Sequence, residues 1–176
     1  MDSELSFYAR LDTYDTHVNL LEVLHGKPAM ATVGLFSGGF YTGKPQVQDH
    51  SHLLGLRPKN QTVSATPLKL LFRYTAEGYL LVIKSAGERY NQLISKSWLG
   101  VLGARHATID EPTLFTLVDL KNNPIKLNKN TAAPFPVSLV TAQRKFIGGL
   151  KVKGAPYIYL AETDERSKMI FTLSVS

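Results

Sequence analysis

The chain closes on MIFTLSVS, Met169–Ser176, and writes the same Phe-Thr-Leu in TLFTLVDL, Thr113–Leu120. Each copy stands just downstream of an acidic pair, Asp164-Glu165 and Asp110-Glu111. A motif that returns at such a distance signals repeated units.

Working outward, HLLGLRPKNQTVSATPLKLLFRYTAEGYLLV from His52 lines up with LFTLVDLKNNPIKLNKNTAAPFPVSLVTAQRKFIGG from Leu114. Each opens on an apolar-x-Leu strand, Leu54/Leu56 and Phe115/Leu117, followed by a Lys-Asn turn, Lys59-Asn60 and Lys121-Asn122. A Pro-led strand comes next, Pro67–Leu70 and Pro136–Leu139, then an aromatic after a short turn, Tyr79 and Phe146. The first third carries the order more loosely, in Phe7-Tyr8-Ala9, Val33-Gly34-Leu35 and Gly39-Phe40-Tyr41. On this alignment Leu56, Leu117 and Leu173 are equivalent core positions, and Asp49, Asp110 and Asp164 each precede the opening strand. Positions 7, 54, 115 and 171 set a period of about 47 to 61 residues. Three units whose last strand returns to the first suit a closed barrel, because closure removes the sheet edges.

The remaining punctuation agrees. Short runs such as ATVGLF, GYLLVIK and APYIYLAE alternate with Gly, Pro, Asn and Asp at short intervals, the pattern of an all-β sandwich or barrel. Helical periodicity is confined to Val18–Leu24, which Gly26 and Pro28 close within two turns. No long linker divides the chain, so residues 1–176 read as a single domain.

The segment VSL…RKFIGG…YIYLAETDE…MIFTL, Val137–Leu173, with its echo LKL…EGYLL…ATIDEPTLFTL, Leu68–Leu117, resembles the β-trefoil superfamily. The likeness is to its divergent fascin-like, agglutinin-like and fibroblast-growth-factor-like members. It implies about twelve strands in three pseudo-symmetric repeats. Function does not follow from it, since one fold hosts lectins, inhibitors, cytokines and actin bundlers. The chain departs from ricin-type lectins, whose repeats end in Gln-x-Trp; here Trp98 is the single tryptophan.

With 44% apolar and 19% charged residues the composition is that of a globular protein. No stretch reaches the length of a membrane span. The start, Met-Asp-Ser-Glu-Leu, is acidic where a secretory leader is basic. The expected location is therefore the cytoplasm, or outside by export without a recognisable signal peptide. Cysteine is absent, which removes disulfides, thiolate nucleophiles and Cys-based metal sites. The net charge of +6 is uneven: Leu120–Lys153 has no acidic residue and seven basic ones.

Motifs for chemistry fall short. GGFYTGKP, Gly38–Pro45, has P-loop glycines and Lys44, but Pro45 stands where Ser or Thr would hold magnesium. His50 and His52 share a loop with Asp49, without a third matching histidine for a metal. No Gly-x-Ser-x-Gly elbow occurs. The expectation is no catalytic residue, no metal and no cofactor. Nucleic acid is not expected either, because the basic segment holds only Phe135 and Phe146 as aromatics.

The expected function is therefore carbohydrate binding, lectin-like, toward a glycan or glycoprotein. Asp49, Asp110 and Asp164 are the candidate hydroxyl acceptors, and Trp98 and Tyr157 the candidate stacking platforms. Lys145, Lys151 and Lys153 are the candidate anion-binding residues, with Lys151 and Lys153 two apart on a strand and on one side. Two alternatives stand beside this. One is a protein-interaction trefoil of actin-binding, inhibitor or toxin-receptor-binding type, and the other is an acidic-glycan binder using residues 121–153.

Overall fold

The structure, a computed structural model, describes residues 4–33, 36–37, 40–41, 46–61 and 67–176. It is all-β, 50% strand and 10% helix. The first elements are β1 (Phe7–Asp12), β2 (Thr16–Leu20), α1 (Leu21–His25), β3 (Met30–Val33), β4 (Phe36–Ser37), β5 (Phe40–Tyr41) and β6 (Gln46–Asp49). β7 (Leu54–Pro58), β8 (Leu68–Thr75), β9 (Gly78–Ile83), β10 (Leu93–Lys96), β11 (Leu102–Arg105) and β12 (Phe115–Val118) follow. The chain ends with β13 (Pro124–Ile125), β14 (Phe135–Thr141), β15 (Phe146–Lys151), β16 (Ile158–Thr163) and β17 (Phe171–Val175).

Side-chain alternation makes the barrel. In β1, Phe7, Ala9 and Leu11 point inward and are buried, while Tyr8 and Arg10 face out. In β8, Leu68, Leu70 and Phe72 are buried and Lys69 is exposed. Six strands close a ring in which β1 pairs β8, β8 pairs β9, β9 pairs β12, β12 pairs β14, β14 pairs β17 and β17 pairs β1. Every contact in the ring is antiparallel, and the two chain ends seal it.

The ring registers come in matching sets of three. Ala9 faces Leu70, Tyr79 faces Phe115 and Val137 faces Phe171. Two residues further along the same strands, Leu11 faces Leu173, Leu81 faces Phe72 and Leu139 faces Leu117. All twelve side chains are buried, so they form two stacked layers of the core.

Three hairpins cover one end of this ring: β2 with β7, β10 with β11, and β15 with β16. They touch one another in a cycle through Leu53–Gly103, Val101–Ala161 and Ile158–Leu56. Between β2 and β7 the chain makes a long excursion with α1 and the β3–β6 ribbon. Helix α1 buries Leu21 and Leu24 and stops at Gly26, whose φ of +66° is the left-handed cap of a short helix.

That excursion shifts the repeat frame expected above. Leu54 and Leu56 belong to a cap hairpin, and the barrel position matching Leu117 and Leu173 is held by Phe72. Pro67–Leu70 lies at the end of the first set of strands, whereas Pro136–Leu139 begins the last set. Tyr79 is a barrel residue and Phe146 opens a cap strand, so the two are not equivalent. The cause is physical: barrel and cap strands are both short, largely apolar runs bounded by turns, and Leu54-Gly55-Leu56 presents the same Leu-x-Leu spacing as a barrel strand, so the two look alike in sequence. Of the expected helix, Val18–Leu20 is strand and only Leu21–Leu24 is helical. Gly34, Leu35, Gly39 and most of GGFYTGKP, with Lys44, lie outside the described residues.

Candidate functional site

A cleft of about 400 Å³ opens on the outer wall of the barrel. Its floor comes from Arg10 on β1 and Lys69 on β8, one wall from Asn19 through Val23 at the β2–α1 junction, the other from Ile83 through Arg89. The volume falls within the ordinary range of small-ligand sites, roughly 300–1,000 Å³. Backbone bonds fix the frame: the Lys84 amide donates to the Lys69 carbonyl at 2.8 Å, and the Lys69 amide donates to Ser85 Oγ at 3.0 Å.

Four cations, Arg10, Lys69, Lys84 and Arg89, line the cleft against two carboxylates, Glu22 and Glu88. Glu22 is already paired, its Oε1 lying 3.4 Å from Arg89 Nε. Lys84 donates to Asn91 Oδ1 at 2.6 Å, a neutral partner that leaves its charge in place, and sits 5.0 Å from the centre of the Tyr90 ring. Chemically the cleft offers donors and acceptors from β1, β8, α1 and the loop that follows β9. Its one hydroxyl, Ser85, is engaged by the Lys69 amide.

The three aspartates separate. Asp49 ends β6, and its Oδ1 accepts the Ser51 amide at 2.9 Å. Hydrogen bonds from Ser51 hold that carboxyl below the usual carboxylate range. Asp164 caps the turn before β17, accepting the Ser167 amide at 3.0 Å. Both therefore shape turns, the ordinary work of such residues. Asp110 alone of the three lines a cleft, an open one of about 430 Å³ shared with Ser95, Lys96, Arg105, Ile109 and Glu111. Asp110 and Asp164 precede ring strands, whereas Asp49 precedes a cap strand.

Trp98 and Tyr157 meet in a second core under the long excursion, together with His25, His50 and Tyr159. The Trp98 ring lies 4.4 Å from His50 and 5.6 Å from Tyr159, centre to centre. Tyr157, 9% exposed, packs on His25 at 4.9 Å and donates to the Met30 carbonyl at 3.3 Å. Its ring is thus used for packing and, almost wholly buried between these contacts, presents no open face to a sugar. Trp98 is half-buried against the same cluster.

Within this core both ring nitrogens of His50 are engaged: Nε2 lies 3.0 Å from Gln48 Oε1, which accepts, and Nδ1 shares a hydrogen bond with the Tyr159 hydroxyl at 2.7 Å. Burial first, then the His52 charge, lowers the His50 pKa below its usual 6.5. Burial, helped by Tyr157, pushes Tyr159 up to about 12.

The candidate lysines lie apart. Lys145 stands in the turn before β15 and Lys151 ends that strand. Across six residues they are about 17–20 Å distant along the strand. Lys153 lies beyond the strand, in the hairpin turn. The expectation that Lys151 and Lys153 share a strand face is corrected by that turn, which Gly154 enters at a φ of +88°.

Among the described residues no group of three or more His, Asp or Glu side chains is placed to hold a metal. No described helix is long and apolar enough to cross a membrane. No family model matches the chain, and neither a curated protein nor a solved structure does.

The residues of the basic cleft carry no motif. Arg10 and Lys69 lie far apart in sequence and meet only through the β1–β8 register. One signal was present: each is a cation at an outward position between two buried apolar residues of its strand.

Proposed function

We propose that the chain is a β-trefoil that binds carbohydrate without chemistry, in the cleft floored by Arg10 and Lys69. The fold reading is supported by the threefold sets of ring pairs and by the three cap hairpins that touch in a cycle. In it the four-strand units are β1, β2, β7 and β8, then β9 to β12, then β14 to β17. The β3–β6 and β4–β5 ribbons are insertions in the first unit, and β13 lies between the second and third.

The observation that carries the function is the composition of the cleft wall. Charged side chains that can donate to or accept from ring hydroxyls line it, Arg10 and Lys69 on paired strands, Glu22 on α1, and Lys84, Glu88 and Arg89 on the loop after β9 that is bonded back to Lys69. Such preformed polar clefts lose little ordering entropy on binding. Asp110 and its cleft offer a second, shallower saccharide position, and two weak sites on one module gain by multivalency.

The test is a glycan array probed with the full chain. The reading expects saccharide-dependent signal that falls for Lys84→Ala and Arg89→Ala. Silence across neutral and acidic glycans would overturn it. A protein-interaction module has one observation of its own: Met30 and Val47 stay exposed on the β3–β6 ribbon. Binding carried by that ribbon would survive both cleft substitutions.

A further inference from the structure

We infer that the saccharide held in this cleft is an acidic one, with its sulfate or carboxylate seated between Arg10 and Lys69; the inference rests on the glycan reading above. The two residues face each other directly in the β1–β8 register. Both point outward, because Ala9, Leu11, Leu68 and Leu70 fill the inner face of the same strands. Like charges placed directly opposite on one sheet face repel, and an acid at either position would have removed that repulsion. Instead, among the described residues, no carboxylate forms an ion pair with Arg10 or Lys69; Lys69 Nζ lies 6.0 Å from the centre of the Tyr8 ring.

The opposite wall deepens the imbalance. Arg89 is matched by Glu22, Lys84 meets only the neutral Asn91, and Glu88 is the single further acid. A neutral sugar would leave the Arg10–Lys69 repulsion standing. An anionic substituent would relieve it, and guanidinium donates to sulfate or carboxylate through paired N–H groups. The two cations supply contacts for the anion and the remaining polar groups of the walls supply those for the ring, so recognition needs the sugar ring as well as the anion.

The experiment is calorimetric titration of the full chain with four probes. These are a sulfated disaccharide, a uronic-acid disaccharide, the neutral disaccharide of the same linkage, and inorganic sulfate. At least one acidic disaccharide should bind about tenfold or more tighter than the neutral one, and whichever does identifies the anion. Arg10→Ser with Lys69→Ser should abolish that difference, the acidic disaccharide then binding no tighter than the neutral one. Both side chains are exposed, and an unchanged melting temperature shows that the variant is folded. Glu22→Gln, which frees Arg89, should tighten acidic binding several-fold. Equal affinity for acidic and neutral disaccharides overturns the inference while the glycan reading stands. Sulfate binding as tightly as the sulfated disaccharide also overturns it, since the ring would then contribute nothing. Failure of all three disaccharides overturns the glycan reading itself.

Discussion

A methyl group on Gly55 would stand 2.6 Å from the Ile158 carbonyl oxygen and press on the Leu21 side chain. Here α1, β7 and β16 meet, and the backbone oxygen cannot yield without breaking the β7–β16 contact. Gly55→Ala should therefore cost about 1–3 kcal/mol, the scale of overpacking a dense core, measured as a fall in the chemical denaturation midpoint. The barrel leucines fail in the opposite way. Leu117 and Leu173 are fully buried in one core layer with Phe72. Leu117→Ala and Leu173→Ala should each cost about 2–5 kcal/mol through lost contact and the cavity left behind. A loss under about 1 kcal/mol at both would mean that they do not share a core layer.

His50 gives the residue scale a pH signature. Its pKa in the fold lies below 6.5, so on acidification the unfolded chain takes up the proton first. Stability from this site is therefore complete above pH 6.5 and falls as pH drops below it. His25 and His52 are lowered too, each mainly by burial, and add to the same slope, while Asp49 beside His50 opposes it. The melting temperature should drop between about pH 7 and about pH 5, and His50→Gln should flatten that drop. A profile identical in the variant would remove His50 from the account.

At the scale of elements, the long excursion between β2 and β7 is fastened by α1, which buries Leu21 and Leu24, and by a cluster of rings. The aromatic cluster of His25, His50, Trp98, Tyr157 and Tyr159 ties it to the hairpins β10–β11 and β15–β16. Trp98→Ala removes the ring that touches both His50 and Tyr159. Amide exchange should then rise in residues 21–33 and 46–53 while β8, β9, β14 and β17 keep their protection, because local opening follows local contact. Uniform acceleration would show that the excursion and barrel unfold as one unit. These elements also show where sequence reading stops. The Phe-Thr-Leu strands were legible because their residues alternate inside and outside and their acidic turns recur before β12 and β17. Their first-unit partner was not, since Leu54-x-Leu56 mimics a barrel strand while the true one, β8, lies after an insertion of unpredictable length. Tyr157 was visible as a candidate stacking ring, but not as one packed on His25 and bonded to the Met30 carbonyl, more than a hundred positions away.

For the whole molecule, the ring of six strands positions Arg10 and Lys69 beside a loop that follows β9. No local pattern announces that meeting, because register between distant strands is set by packing of the inner faces. The basic run at residues 121–153 was the visible charge, yet Lys145 and Lys151 occupy opposite ends of β15, outside the cleft. Substitution should distinguish the two. Acidic-glycan affinity of the cleft should weaken as ionic strength rises, since exposed charges are screened within about 8 Å at physiological salt. The pair Lys151→Glu and Lys153→Glu should leave it unchanged, and a loss comparable to that of the Arg10→Ser, Lys69→Ser variant would move the site to the hairpin.

The central claim, that one cleft on the barrel wall holds an acidic saccharide, is tested most directly by mapping backbone amide chemical shifts during titration. The account predicts changes largest at residues 10, 19–23, 69 and 83–89, growing together with one dissociation constant, with shifts near Asp110 following a separate, weaker one. Shifts confined to residues 121–153 or to the neighbourhood of Asp110, or no shifts at all, would contradict it.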